Sequence, residues 1–161
     1  MATMEVEIDD VEYYVDRALG MMVEILRVLG DELANMKPAL PGANSPFQIV
    51  THCLGVMEFW GGNRIAGRDV RRDRPAEFGA TGSVEELVAK AEEQKRRFSA
   101  DLDSLDGLAS PRSEGDPKDV DLPFARSQAG VVLHVFEELY QHLGHLEITR
   151  DVLMSVAGQA T

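Results

Sequence analysis

Hydrophobic and polar residues alternate along this chain with the period of a helix. Val11, Val15, Ala18, Met22, Ile25 and Leu29 recur at steps of three and four, the stripe of an amphipathic helix. They predict a first element from about Asp9 to Asn35. Asp9 and Glu12 have the spacing of a capping box at its start, and Pro38 and Pro41 end it. A second element opens at Ser45-Pro46-Phe47-Gln48. Ser45 suits the N-cap, Pro46 the first helical position, and Gln48 the reciprocal half of a capping box. Apolar residues continue through Trp60, and the Gly61-Gly62 pair weakens the helix before an outer limit at Ala66.

A third element begins at another box, Ser83-Val84-Glu85-Glu86, and continues to about Leu105. Leu87, Ala91 and Phe98 point inward there, and Lys90, Glu93 and Lys95 point outward. The last element extends from near Ser127 to about Val156, with Val132, Val135, Phe136, Leu139, Leu143 and Leu146 on one side. Between these lie irregular connections, Arg68–Gly82 and the Pro- and Gly-bearing stretch Asp106–Arg126. A connection as long as the latter in a compact domain is usually functional or mobile. No repeat, low-complexity tract or strand pair interrupts the pattern. Four amphipathic helices of this size predict an all-α four-helix bundle, a single domain over residues 1–161, whose long connections leave the helix order open.

Composition narrows what such a bundle does. The 161 residues carry 16 Lys and Arg against 28 Asp and Glu, a net charge of −12. Phosphate recognition needs a basic footprint, so neither nucleic acid nor an anionic membrane surface is an expected partner. The single cysteine, Cys53, has no internal disulfide partner and fits a reducing, cytoplasmic compartment. The acidic start of the chain lacks a signal-peptide pattern. The apolar stretch from Leu19 to Leu29 is broken by Glu24 and Arg27, far short of a membrane span.

Candidate chemistry concentrates on the last helix. At about 100° per residue, His134, Glu138, His142 and His145 fall on one arc of roughly 80° beside the apolar stripe, while Glu137 and Gln141 point to solvent. Glu138 and His142, one turn apart, have the spacing with which a helix offers two ligands to one metal ion. A third ligand has to come from a facing helix. His52, at the edge of the apolar face formed by Ile49, Val56 and Trp60, is the one histidine on the second element. The resulting His₂Glu set leaves a position open for water or substrate. A second reading of the same residues stands beside this one: Glu138 and His142 as a solvated i,i+4 pair, and His52 as a hydrogen-bonded core residue.

The segment His134–Arg150, HVFEELYQHLGHLEITR, and the segment Thr51–Trp60, THCLGVMEFW, resemble the DinB-like superfamily. The likeness is greatest to the branch of the mycothiol-dependent maleylpyruvate isomerase N-terminal domain and its uncharacterised relatives. His52 and Trp60 match that family's metal-binding histidine and the tryptophan about two turns after it. Glu138 and His142 match the two ligands of its final helix, in the form that uses Glu first. The resemblance implies a four-helix bundle of unusual order, a homodimer, and one divalent metal ion, zinc or nickel, held by His52, Glu138 and His142. It further implies thiol transfer to a small electrophile with a low-molecular-weight thiol such as mycothiol or bacillithiol. The isomerase relatives carry a second domain for which this chain has no length, so maleylpyruvate isomerisation itself is not expected. Two other classes remain open: a metal-dependent hydrolase, and a non-catalytic stress-response or binding bundle.

The remaining residues receive plainer expectations. His145 is a partner behind the ligands or a substrate contact, or else a partly exposed helix histidine, and His134 is structural. Arg64, Arg68, Arg71, Arg72 and Arg74 read as a solvated loop neutralised by Asp69 and Asp73, with carboxylate binding as the alternative. Cys53 reads as a buried small hydrophobe. Trp60 packs in the core, as do Met21, Met22 and Met57.

Overall fold

A computed structural model describes residues 5–114, 117 and 120–159. Its elements are α1 (Ile8–Asn35), α2 (Pro46–Met57) continuing into a π-helical segment (Glu58–Ile65), α3 (Arg74–Glu77), α4 (Val84–Leu102), α5 (Pro123–Arg126) and α6 (Gln128–Gln159). Among the described residues there is no strand. Helices α4 and α6 occupy opposite corners: each packs on α1 and on α2 or its continuation, and among the described residues they share no extensive interface with each other. The successive helices α1 and α2 also touch across the core. This is the all-α bundle that the pattern predicts, in an order that simple up-down alternation does not produce.

The α1 stripe is buried along its whole length. Helix α1 starts at Ile8 with Glu7 as N-cap, and no side chain caps it. The capping box expected at Asp9 and Glu12 is therefore not made. Asp9 lies inside the first turn, where its charge meets the positive end of the helix dipole. Near the other end, Gly30 adopts φ 63°, ψ 178°, a backbone state that side chains oppose, and the helix direction breaks there. The turn beyond this break holds the start of α4. Asn35 exchanges hydrogen bonds with the Gly82 backbone at 2.9 and 3.0 Å, and Asp31 caps Val84.

The Ser45 box on α2 is made as expected, with Gln48 N–H donating to Ser45 Oγ at 3.3 Å and Ser45 N–H to Gln48 Oε1 at 3.1 Å. Beyond Met57 the Gly61-Gly62 pair does not end the helix but widens it: Ala66 N–H reaches back to Gly61 O at 2.9 Å. The glycines leave room on this segment for neighbours, since a Cβ at Gly61 would meet the Phe98 ring at 2.6 Å and one at Gly62 the Arg68 guanidinium at 2.4 Å. Helix α4 ends at Leu102, three residues before the expected Leu105, in turns accepted by Asp101 O and Leu102 O.

The Asp106–Arg126 connection contains α5 and is tied down at several points. Buried Gln128 accepts from Asp106 N–H at 3.0 Å and donates to Ser110 O at 3.2 Å, and Arg112 N–H donates to Arg64 O at 2.8 Å. No helix among the described residues is long and apolar enough to cross a membrane.

Candidate metal centre

Helix α2 is buried on nearly every side, and His52 sits in its middle with only 2% of its surface exposed. Helix α6 crosses it with Glu138 and His142, one turn apart, facing His52. His52 Nε2 lies 3.4 Å from Glu138 Oε2, and His142 Nε2 lies 3.3 Å from the same oxygen. The two rings meet edge to face at 4.7 Å. One ligand atom from each of the three residues falls within 4.8 Å of the others. The structure thus brings together the three residues singled out on two separate helices. The His142 ring and then the His52 ring beside it hold the Glu138 carboxyl well below the usual carboxylate range, so a negative charge stands between the two imidazoles.

The donor set fits a small divalent cation. Two ligand atoms about 2.0–2.1 Å from one tetrahedral ion stand roughly 3.3–3.4 Å apart, as the two nitrogen–oxygen pairs here do, and all three ligand atoms lie within 4.8 Å of one another. Charge-assisted hydrogen bonds are shorter, about 2.7–2.9 Å. The three residues could hold a cation through two imidazoles and one carboxylate, a mixed nitrogen and oxygen set of the kind that takes zinc and other borderline ions.

The other side of His52 was invisible in the pattern. Nδ1 lies 2.8 Å from Glu77 Oε2 at the end of α3, and Glu77 is itself buried. Arg72 forks this carboxylate, Nε to Oε1 at 2.7 Å and Nη2 to Oε2 at 2.9 Å, and its Nη2 is also 3.1 Å from His52 Nδ1. Phe78 stacks on the imidazole at 4.8 Å. No local spacing links Glu77 to His52. The local sign is Gly55, three residues after His52 on the same face of α2, where a Cβ would lie 2.2 Å from Glu77 Oε1.

The basic run corrects the expectation of a solvated loop neutralised by Asp69 and Asp73. Arg64 is buried and donates to Ser113 O. Arg68 forks Asp101 at 2.9 Å through both nitrogens and reaches Glu58 at 2.7 Å. Arg72 holds Glu77. Asp73 instead accepts the Ala76 N–H at 3.1 Å and caps α3. Burial makes the difference: Arg68 and Arg72 each reach a carboxylate that is itself buried, Asp101 or Glu77, and such a group needs a charged partner, whereas Arg71 and Arg74 stay exposed.

Of the remaining histidines, His134 packs against Trp60 at 4.6 Å and Phe124 at 4.5 Å, with Nε2 3.8 Å from Glu138 Oε1. His145 is exposed on α6, its ring 6.0 Å from that of His142. Cys53 is fully buried, and burial first, then the charges of Glu138 and Glu77, push its thiol far above the ordinary range. It is a small apolar residue in this position. A cavity of about 650 Å³ between α2 and α4 has Glu77 in its wall and none of the three converging residues. Solvent reaches the centre from the α6 side, where the Glu138 and His142 side chains are 24% and 22% exposed.

This helical order, with two histidines and a glutamate converging from the second and last long helices, defines a protein of DinB-like type. The family model for mycothiol-S-transferase matches residues 10–154, and the chain belongs to that family. A comparison with curated proteins finds no match.

Proposed function

We propose that the protein transfers a low-molecular-weight thiol of the mycothiol or bacillithiol kind to a small electrophile, using one divalent cation, zinc or nickel, held by His52, Glu138 and His142. The observation that supports this reading is the convergence of two imidazole nitrogens on one carboxylate oxygen at 3.4 and 3.3 Å. A cation bound there supplies positive charge that favours the ionised form of a thiol near neutral pH. The surrounding residues do the rest. Glu138 offsets part of the cation's charge, His52 anchors the centre from the dry side, and His142 borders the accessible side, where thiol and electrophile approach. Cys53 supplies no nucleophile, so the reacting sulfur comes from a bound thiol.

Metal analysis of protein expressed without a metal-affinity tag tests the centre. The expected result is about one divalent ion per chain, lost in His52→Ala and in His142→Ala. Absence of metal in the wild type after zinc addition overturns the proposal. Turnover of an electrophile that depends on added thiol separates transfer from hydrolysis, which proceeds without one. A cytoplasmic location and a homodimer belong to the same reading, and light scattering during size exclusion at twice the 17.7 kDa chain mass tests the latter.

A further inference from the structure

A histidine can present only one nitrogen lone pair when its other nitrogen carries the proton, and the partner of the second nitrogen decides which. For His52 the two sides differ. Nε2 faces Glu138 on α6 at 3.4 Å. Nδ1 faces Glu77 Oε2 at 2.8 Å, the shorter of the two contacts and the more buried one, since the Glu77 side chain is 9% exposed.

A carboxylate oxygen only accepts hydrogen bonds. At 2.8 Å it calls for a proton on Nδ1, and in the neutral ring that leaves the lone pair on Nε2. Arg72 Nη2 also approaches Nδ1, at 3.1 Å, and a guanidinium only donates. Were Arg72 the partner of Nδ1, Glu77 Oε2 would face a lone pair at hydrogen-bond distance. The fork of Arg72 on both Glu77 oxygens, at 2.7 and 2.9 Å, uses the arginine donors instead and supplies the charge that a buried carboxylate needs.

A buried ion pair is commonly less stabilising than apolar packing of the same volume. Here the pair comes from one short segment, Arg72–Glu77, and it fits against α2 only because Gly55 has no Cβ, which would collide with the carboxylate at 2.2 Å. The carboxylate that Arg72 grips and Gly55 admits is the one that faces His52 Nδ1. His142 receives no equivalent support, because its Nδ1 is buried without a partner among the described residues.

We infer that Glu77, gripped by Arg72 and admitted by Gly55, is the positioning residue of His52: it keeps the proton on Nδ1 and turns Nε2 toward Glu138 and His142. The effect on metal affinity rests on the metal-centre reading above, whereas the state of the His52 ring does not.

The test uses metal-free, ¹⁵N-histidine-labelled protein. Long-range proton–nitrogen correlation spectra report the tautomer of each of the four histidines, and His52→Ala identifies the signal. Zinc affinity is then measured by chelator competition on wild type, Glu77→Gln, Arg72→Lys and Gly55→Ala, with circular dichroism to establish folding. The expected result is the Nδ1–H tautomer in the wild type, its loss in Glu77→Gln, and zinc affinity lowered about 10–100-fold, with Gly55→Ala reproducing the effect by displacing the carboxylate. Wild-type protein with the proton on Nε2 overturns the inference whether or not any variant folds. So does Glu77→Gln with unchanged tautomer and unchanged affinity. Wild type that shows the Nδ1–H tautomer, lost in Glu77→Gln, yet binds no zinc supports the positioning role and overturns the metal-centre reading instead.

Discussion

Asp31 Oδ1 on α1 accepts the Val84 N–H at the start of α4 at 2.7 Å, across 53 positions of sequence. Ser83, the residue in the N-cap position, makes no side-chain cap bond. The break at Gly30 makes this possible, because it turns the last part of α1 toward the segment that enters α4. Asp31→Ala should therefore destabilise the fold by about 1 kcal/mol, the usual loss for a removed cap. Ser83→Ala should stay within roughly 0.5 kcal/mol, as surface substitutions do. Urea unfolding of the two variants checks this, and equal losses would place the cap on Ser83 after all.

The ion cluster under the π-helical segment makes stability depend on acid. A hydrogen bond from Arg68 holds the Glu58 carboxyl below its ordinary value, and the bonds that Arg68 donates to Asp101 and then to Glu58 push its guanidinium up. A carboxyl lowered in the folded state stabilises fully above its unfolded pKa, near 4.5, and loses that contribution as pH falls through the folded value. Glu58→Gln should lower the urea midpoint at pH 6 and narrow the gap between pH 6 and pH 3.5. A gap as wide as that of the wild type would show that Glu58 has no part in the acid response.

Cys53 should be inert in the folded protein. It is fully buried and its thiol is held protonated, while disulfide reagents attack through the thiolate. Ellman's reagent at pH 7 should label it only after denaturant is added. Labelling of the native protein within minutes would contradict its burial and reopen the question of which sulfur reacts.

Gly130 sits where α6 passes under α5. A Cβ there would stand 2.1 Å from the Pro123 carbonyl oxygen and 2.9 Å from Phe124 N, backbone atoms that cannot rotate away. Gly130→Ala should cost about 1–3 kcal/mol, in the range of overpacked sites, and lower Tm by several degrees. Its metal content should match that of the wild type, because the substitution is two turns from Glu138. Unchanged Tm would mean that α5 shifts freely.

Much of this protein is legible from its residues in order. The spacing of Val11, Val15, Ala18, Met22, Ile25 and Leu29 set one buried face of α1, and Ser45, Pro46 and Gln48 specified the start of α2 down to both hydrogen bonds. Glu138 and His142 stood out because polar groups bordering an apolar stripe on one helix are a local anomaly, and His52 because it is a lone histidine on a helix that buries nearly everything else. Helical periodicity carries that information, since it says which residues share a face.

Periodicity does not say which faces meet, or what a loop brings to them. Glu77 is 25 positions from His52, on a helix of four residues with no stripe of its own. Arg72 looked like one of five loop cations until burial chose its partner. Asp31 replaced Ser83 as a cap because α1 breaks at Gly30. The sequence alone determined the four long helices and their inward faces, and it singled out the three residues that meet at the centre. The tertiary structure decided the order of the bundle, the caps supplied by one helix to another, and the Arg72–Glu77 pair behind His52. Those depend on distances across the core, which arise only when separate segments are packed together and buried groups must find partners in place of water.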